Sequence, residues 1–474
     1  MPRPAHTFRC VTFGCRVNQY ETQAIREQLE AIGLVEAREE ETADVIVVNS
    51  CTVTEEADRE CFSQLRKLNR KNPNARLIVT GCLVQRDAER LKPLAGVRLL
   101  VGTGQKHRIG EFVRAELGPY LVPEGPGTGF PPRIELEISR VYGGLRISRF
   151  EGWDKAFVKV QDGCDRACSF CKIPLVRGRS RSRPLAEVIE EVKRLAERGY
   201  REIVLTGVAI GLWGRDLGAG ASLAELLAAV DQLSGRFRVR LSSLDPRDLD
   251  DRLIRALEAS SKVCHHLHLS LQSGSDPVLQ RMNRGHTAAE YALRVAAVRR
   301  FWPDLGLTTD LIAGFPEETQ EQFQQTLSFC RAMEFAKVHV FPYSRRRGTS
   351  AAVFKGTLAA SVVRERARLL RQTAAEVSAR FRERFVGTRQ ELLLERRTDG
   401  TTAQFLRVRL EGGGGTTGEL LPVEITGLTP QGLRGKIFPG ALDKLHHPVP
   451  TLDCKDNLEE VPVTNPVLNR APRR

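Results

Sequence analysis

The sequence predicts an α/β protein in three parts: an N-terminal parallel α/β domain, a central partial TIM-like (β/α)6 barrel and a small C-terminal antiparallel β-barrel. Three observations predict it. Apolar strand-like runs alternate with helical stretches over residues 1–120 and again over 153–385, the pattern of parallel sheets with helical crossovers. Short strands with glycine-rich turns fill 386–440, the style of a small closed barrel. The chain of 474 residues is also too long for one ordinary core.

In the first part, Thr7–Phe13, Val45–Val48 and Leu77–Thr80 read as strands, and they run into Gly14-Cys15, Asn49-Ser50-Cys51 and Gly81-Cys82. Helical stretches at Gln19–Ile32, stopped by Gly33, and at Glu55–Lys71 separate them. Residues 121–152 read as a linker with room for one or two strands, beside a Pro/Gly-rich patch at Pro119–Pro132. In the second part the strand candidates are Ala156–Val160, Glu202–Thr206, Phe237–Ser242, His266–Leu271, Leu307–Ile312 and Lys337–Phe341. Helical patterns such as Leu185–Arg198, Ser222–Leu233 and Glu318–Met333 separate them, and six such units make a partial barrel. In the third part, Glu391–Arg396, Gln404–Leu410 and Leu420–Ile425 read as strands, separated by Asp399-Gly400 and Gly412–Gly415. Residues 441–474 read as a disordered tail, rich in proline and poor in apolar clusters.

The composition, 41% apolar and 27% charged, is that of a soluble globular protein. No apolar run is long enough to span a bilayer, and Met1–Arg9 lacks a signal-peptide core, so no membrane partner and a cytoplasmic location are expected. The net charge of +14 favours a polyanionic partner over a merely solvated basic face. Eleven cysteines, an odd number without a secretion signal, point to metal or catalysis rather than disulfides.

The sharpest signal is Cys164-Asp165-Arg166-Ala167-Cys168-Ser169-Phe170-Cys171, a C-x3-C-x2-C spacing after a strand. Three soft thiolates on one loop can hold three corners of a 4Fe–4S cluster and leave the fourth iron open. Structural zinc would need a fourth ligand, and no usual partner lies nearby. Here the sequence resembles the radical S-adenosylmethionine superfamily, whose C-x3-C-x-Φ-C motif is matched by Cys164, Cys168, Phe170 and Cys171. The resemblance implies S-adenosylmethionine on the open iron and its reductive cleavage to a 5′-deoxyadenosyl radical.

Cys15, Cys51 and Cys82 each follow a strand end, and such ends converge on one sheet edge. They read either as a second three-thiolate site or as three inert buried cysteines. The local sequences resemble the methylthiotransferase family. Its motifs are matched by Gly14-Cys15-Arg16-Val17-Asn18-Gln19-Tyr20-Glu21, Asn49-Ser50-Cys51-Thr52-Val53-Thr54 and Thr80-Gly81-Cys82. Further matches are Leu205-Thr206-Gly207, Leu241-Ser242-Ser243, Leu271-Gln272-Ser273-Gly274-Ser275, Gly314-Phe315-Pro316-Glu317-Glu318-Thr319 and Val340-Phe341-Pro342-Tyr343-Ser344. The module at 387–437 resembles the RNA-binding TRAM domain.

This resemblance implies two 4Fe–4S clusters, with Cys15, Cys51 and Cys82 holding the auxiliary one, and S-adenosylmethionine as the source of both methyl group and radical. GCRVNQYE and Val160-Gln161-Asp162-Gly163-Cys164 look most like the branch that methylthiolates carbon 2 of N6-threonylcarbamoyladenosine at tRNA position 37. Other branches act on isopentenyladenosine in tRNA or on a ribosomal protein. Ala209 and Asp245 depart from that branch's usual polar residue and Glu, at the S-adenosylmethionine pocket. The implied partners are tRNA, an electron donor such as a flavodoxin or ferredoxin, and a sulfur source. A non-enzymatic RNA-binding iron–sulfur sensor, the rival from another class, would need one cluster and no S-adenosylmethionine pocket.

No side-chain acid or base beyond the cluster ligands is expected, since the cofactors carry such reactivity. Contacts to S-adenosylmethionine are expected at barrel strand ends: Thr206, Gly207, Ser243, Asp245, Gln272 and Asp310. Arg177, Arg179, Arg181 and Arg183, alternating after the cysteine loop, and Arg345, Arg346 and Arg347 are expected to meet RNA phosphates. The His266-Leu267-His268 alternation reads as strand geometry rather than metal binding. Cys10, Cys61, Cys264, Cys330 and Cys454 read as structural. The C-terminal module lies downstream of both cysteine sets, so radical cleavage is expected to survive its removal.

Overall fold

The computed structural model describes residues 6–438 apart from 39, 53, 118–131 and 153. Cys454, the tail at 441–474 and nearly all of the Pro119–Pro132 patch lie outside the described residues. No described helix is long and apolar enough to cross a membrane.

The N-terminal sheet contains β1 (Thr7–Thr12), β2 (Val35–Glu36), β3 (Val45–Ser50), β4 (Arg76–Gly81), β5 (Val97–Val101) and β6 (Arg133–Glu135), in the order β2-β1-β3-β4-β5-β6. Every pairing is parallel. β3 is buried at every position because helices cover both faces, which is why Val45–Val48 reads as an unbroken apolar run rather than an alternation. β6 lies in the stretch expected to be a linker and completes the sheet edge. The helix Glu55–Lys71 has the expected bounds; the Thr54 side chain caps it, and acidic residues open it while basic ones close it.

The central barrel is built from β7 (Ala156–Asp162), β8 (Arg181–Ser182), β9 (Glu202–Gly207), β10 (Arg238–Leu241), β11 (Ser243–Leu244), β12 (His266–Leu269), β13 (Gly306–Ala313) and β14 (Lys337–Pro342). β10-β9-β7-β8 forms one run and β11-β12-β13-β14 the next. β10 and β11 are two halves of one bent strand, pairing with β9 and β12 respectively. Six main strands are therefore parallel and leave the barrel open between β7 and β14, as the six alternating units predict. Helices such as Leu185–Glu197 and Gln320–Ala332 cover its outside, the second through a Thr319/Gln322 capping box.

The C-terminal module is a closed barrel of β15 (Arg389–Arg396), β16 (Asp399–Thr402), β17 (Arg407–Leu410), β18 (Leu420–Thr429) and β19 (Gly432–Ile437). Two expectations need correction. Asp399-Gly400 is part of β16 rather than a separator, and β17 pairs in parallel with β19. Parity explains the second: directions cannot alternate around a closed ring with an odd number of strands, so one neighbouring pair must be parallel.

The strand expected at Gln404–Leu410 begins only at Arg407, because Phe405 adopts a left-handed φ of 67°. That turn points the module into the narrow mouth of the central barrel. Arg238 donates to Thr401 O at 2.7 Å, and Arg240 donates to Thr402 O at 3.0 Å and Ala403 O at 2.9 Å. Both arginines also pair with the fully buried Glu202 at 2.8 Å. The Phe405 ring lies 4.7 Å from that of His266 and 5.2 Å from the Arg240 guanidinium, within the range of a cation–π contact. The module is thus the floor of the barrel, not an appendage.

Removing residues 387–474 would strip Arg238 and Arg240 of those carbonyls and expose Glu202. The remaining chain is expected to unfold about 2–4 °C or more below the full-length protein, since each lost kcal/mol lowers the midpoint by about 2 °C in a large domain. Differential scanning calorimetry checks this; equal midpoints would make the module an independent unit.

Candidate active site

The strand register brings Cys15, Cys51 and Cys82 together. Thr12 pairs with Asn49, Asn49 with Thr80, and Ser50 with Gly81, so three neighbouring strands end nearly level; Cys51 and Cys82 follow β3 and β4 directly, and Cys15 follows β1 after the Phe13-Gly14 turn. Gly14 has φ +100°, and a Cβ there would come within 2.7 Å of Cys51 Sγ. Gly81, at φ +103°, lies against the Ser50 backbone in the same way. Both glycines serve close approach as well as left-handed turns. Asn18 ties the loops by donating to Phe13 O at 2.6 Å and Ser50 O at 3.1 Å, and Asn49 donates back to Asn18 O. Cys15 is the N-cap of the helix Arg16–Ala31, and Cys82 is the first residue of the helix Cys82–Leu91.

The second cysteine set leaves β7 on one loop. Cys164 N–H donates to Gly178 O at 3.0 Å, Cys171 N–H to Cys168 O at 3.1 Å and Ser169 N–H to Met282 O at 3.0 Å. Phe170 packs edge-on against Phe315, 6.4 Å away, among Met282 and Ile312. The aromatic residue of the motif therefore anchors the loop to the barrel rim. Arg284 donates to Cys168 Sγ at 3.3 Å, and the Arg166 N–H points at Cys164 Sγ at 3.4 Å. Burial pushes the Cys171 thiol up to about 12, so its thiolate needs a thiophilic metal to displace the proton. Three soft donors with a cation and an N–H aimed at two of the sulfurs fit an anionic iron–sulfur cluster.

Between the two cysteine sets lies a buried ionic lattice. Glu21 is fully buried and meets Lys106, Lys159 at 2.6 Å and Arg177 at 2.9 Å. Asp162 meets Lys159 at 2.8 Å, Arg177 at 3.0 Å and Arg181 at 3.1 Å. Arg177 also donates to Asn18 Oδ1 at 2.8 Å and to Cys82 Sγ at 3.3 Å. A residue just after one cysteine loop thus touches a cysteine of the other set. Burial alone would raise both carboxyls, but the surrounding cations outweigh it and hold Glu21 and Asp162 well below the usual range. Two carboxylates among four cations leave surplus positive charge beside Cys82. On the far side, Arg346 reaches from beyond β14 to Thr52 O and, at 3.4 Å, to Asp58, clamping the Cys51 loop.

These contacts correct the reading of the arginines. Arg177, Arg181, Arg183 and Arg346 are buried and spent on internal ion pairs, Arg183 on Glu191 at 3.0 Å, rather than left for phosphate. Arg179, Arg345 and Arg347 are exposed, Arg179 with 93% of its side chain accessible. Alternation after the loop marks an inward and an outward face, and the inward one faces carboxylates.

The six residues expected around S-adenosylmethionine all lie near C-terminal ends of barrel strands. Thr206 is buried at the end of β9, beside Gly207. Gln272 holds φ 76° and exchanges backbone hydrogen bonds with Asp310 and Ile312. Ser243 opens β11. Asp245 braces the cysteine loop, meeting Arg284 at 2.9 Å, Arg247 at 2.8 Å and Arg166 at 3.4 Å. Although burial opposes it, these guanidiniums hold the Asp245 carboxyl at about 2. Asp310 faces His268 at 3.3 Å. The sequence reading does not single out Lys106, Lys159, Arg166 or Arg284. Asn18 and Glu21 were signalled, since both fall in the Gly14–Glu21 motif.

Comparison with known proteins gives consistent results. Residues 7–102 match the uncharacterized protein family UPF0004, and residues 158–330 match the radical SAM superfamily. The chain is 38% identical over 391 residues to the threonylcarbamoyladenosine tRNA methylthiotransferase MtaB of Thermotoga maritima, covering 82% of this chain and 86% of that one. It is 34% identical to the MtaB of Bacillus subtilis, covering 87% and 92%. It is 35% identical to the tRNA-2-methylthio-N(6)-dimethylallyladenosine synthase of Pelotomaculum thermopropionicum, covering 89% and 95%. Among solved structures, the radical S-adenosylmethionine methyltransferase TsrM of Kitasatospora setae shares the fold, with a TM-score of 0.53 and 15% identity over 74% of this chain and 77% of that one.

Arg177→Met would remove the guanidinium hydrogen bonds to Glu21, Asp162 and Asn18 while leaving Lys106, Lys159 and Arg181 in place. It is expected to cost about 1–3 kcal/mol in urea unfolding, with Arg177→Lys recovering part; wild-type stability in Arg177→Met would contradict the lattice. The lattice also sets an acid limit. Both folded carboxyls are depressed, whereas the unfolded groups titrate near about 4. Their contribution is therefore complete above about pH 5 and lost as pH falls. Unfolding midpoints measured between about pH 6 and 3 should fall in wild type and fall less in Glu21→Gln.

Proposed function

Because the chain belongs to the methylthiotransferase family of radical S-adenosylmethionine enzymes, we propose that it methylthiolates carbon 2 of N6-threonylcarbamoyladenosine, at position 37 of tRNA. The observation that supports this reading is Arg177, six residues beyond Cys171, which reaches Cys82 Sγ of the other three-cysteine set while pairing with Asp162 ahead of Cys164. The substrate follows from the relatives named for threonylcarbamoyladenosine and from the local sequence around Cys15 and Cys164.

Cys164, Cys168 and Cys171 would hold the cluster that the radical S-adenosylmethionine fold uses, and Cys15, Cys51 and Cys82 a second one. When bound, these groups and S-adenosylmethionine supply the radical that takes hydrogen from carbon 2 and the methylthio group that replaces it. The chain's own residues position and shield. Phe170 and Ser169 fix the first loop on the barrel rim, while Arg166 and Arg284 stabilise its thiolates. Arg177 fixes the spacing between the two sets. Thr206, Gly207, Ser243 and Gln272, with Asp310 behind them, line the rim where S-adenosylmethionine would lie. The target base must leave its stack to reach both sets. Exposed Arg179, Arg345 and Arg347 are available for phosphates near that rim. An electron donor such as a flavodoxin or ferredoxin and a sulfur source complete the turnover.

Mass spectrometry of tRNA nucleosides from cells with and without the gene tests the function. The methylthio derivative of threonylcarbamoyladenosine should vanish with the gene; loss of the methylthio dimethylallyl nucleoside instead would move the enzyme to the other branch. The two cysteine sets should separate by chemistry. Cys168→Ala is expected to abolish 5′-deoxyadenosine formation. Cys51→Ala should retain much of that cleavage and yield no methylthiolated nucleoside. Normal product from Cys51→Ala would reduce the N-terminal cysteines to a structural role.

A further inference from the structure

The barrel lumen holds polar groups that neither cysteine set uses. Three neighbouring parallel strands contribute His268 from β12, Asp310 from β13 and His339 from β14, with Asp310 and His339 directly paired in register. His268 Nδ1 is held by Thr308 Oγ1 at 3.0 Å, which aims Nε2 at Asp310 Oδ2, 3.3 Å away. The ligand-type atoms of the three side chains lie within 4.8 Å of one another. His268 and Asp310 keep 14% and 26% of their side-chain exposure although β12 and β13 are interior strands of the sheet. They therefore face a space that water can enter.

Phe405 floors this space beside His266. Arg16, the residue after Cys15, enters it from the open side of the barrel, with its guanidinium 5.7 Å from the Phe405 ring. Lys337 begins β14, two residues before His339. Burial and Lys337 hold the His339 imidazole down at about 4, so it is neutral and can donate or accept a hydrogen bond. Among the described residues neither Arg16 nor Lys337 has a hydrogen-bonding or ion-pairing side-chain partner. A metal cation on the His–Asp–His wall would meet these two cations. A ligand with an anionic end and several hydrogen-bonding groups matches the charges better.

Resting on the substrate reading above, we infer that this lumen receives the N6 side chain of the target adenosine, with Arg16 pairing its carboxylate and His268, Asp310 and His339 hydrogen-bonding its ureido and hydroxyl groups. Arg16 adjoins Cys15, so a carboxylate on its guanidinium lies about one side-chain length from the sulfur ligands that must serve carbon 2. A dimethylallyl group would put hydrocarbon against Arg16 and Asp310 and give the Arg16 guanidinium no anion to pair with. A site built around polar partners rejects an analogue lacking them far more strongly than an apolar pocket rejects an added polar group.

The test uses reconstituted full-length enzyme and anticodon stem-loop RNAs bearing threonylcarbamoyl or dimethylallyl at the target adenosine. Wild type should prefer the first. Arg16→Gln should raise KM for it about ten- to hundredfold, as loss of a charged hydrogen bond implies, with a smaller change in kcat. Discrimination between the two RNAs should narrow, and Arg16→Lys should restore part of it. His339→Phe, which removes a hydrogen-bonding group of the cluster that has no part in the S-adenosylmethionine rim, should narrow it too, and it carries the test if Arg16→Gln loses iron. Unchanged KM and discrimination in both variants, at wild-type iron content, would overturn the inference. Wild-type enzyme that thiolates only the dimethylallyl RNA would instead overturn the substrate reading, and the inference with it.

Discussion

The structure depends on one constraint, the burial of Glu21 and Asp162 among Lys106, Lys159, Arg177 and Arg181. Charges removed from water are expensive to bury and more expensive to leave unpaired. Each of these groups therefore tolerates one arrangement. Glu21 stands on the helix that starts at Cys15, Asp162 stands two residues before Cys164, and Arg177 stands six residues after Cys171. A single lattice thus fixes the root of the first cysteine set and both ends of the loop carrying the second. Such a lattice adds little net stability. Its effect here is geometric: the two domains can dock in one orientation, with both thiol sets on the same side.

The barrel completes that geometry from below. Six parallel strands leave an open side, and the helix Arg16–Ala31 lies against β7 at that side, so Tyr20 reaches Leu145 O and Glu191 at 3.0 Å. The C-terminal module closes the narrow end through Phe405 and the backbone carbonyls around it. Each piece contributes to one chamber: the N-terminal domain a side wall, the β-module a floor, and the barrel strands the rest. This explains why a module that resembles an RNA-binding domain shares buried hydrogen bonds with the barrel.

Much of this was legible in the sequence. Strand-like runs ending in cysteine place Cys15, Cys51 and Cys82 on one edge because parallel strands share a direction, and β1, β3 and β4 prove adjacent and in register. The Cys164–Cys171 spacing is local and needs no tertiary knowledge. The arginines were misread because alternation separates two faces without naming which is inside. The Arg177 partner Glu21 lies in another domain, and the Arg183 partner Glu191 lies eight residues on, on the inward face of the following helix. The floor residue Phe405 was hidden in a strand-like run because a left-handed turn at a non-glycine residue leaves no compositional mark. The parallel pair in the small barrel involves β19, a strand that the sequence reading leaves out along with β16, because Gly432-Leu433-Arg434-Gly435 and Asp399-Gly400 carry turn-like composition.

The central claim is that two separate three-cysteine sites face one another and serve one substrate atom. Anomalous diffraction at the iron edge, from crystals of anaerobically reconstituted protein, tests it most directly. Two distinct iron centres are expected, one bounded by Cys15, Cys51 and Cys82 and the other by Cys164, Cys168 and Cys171, with the Arg177 side chain between them. Iron beside the barrel loop alone, with the N-terminal cysteines free of iron density in fully reconstituted protein, would contradict it.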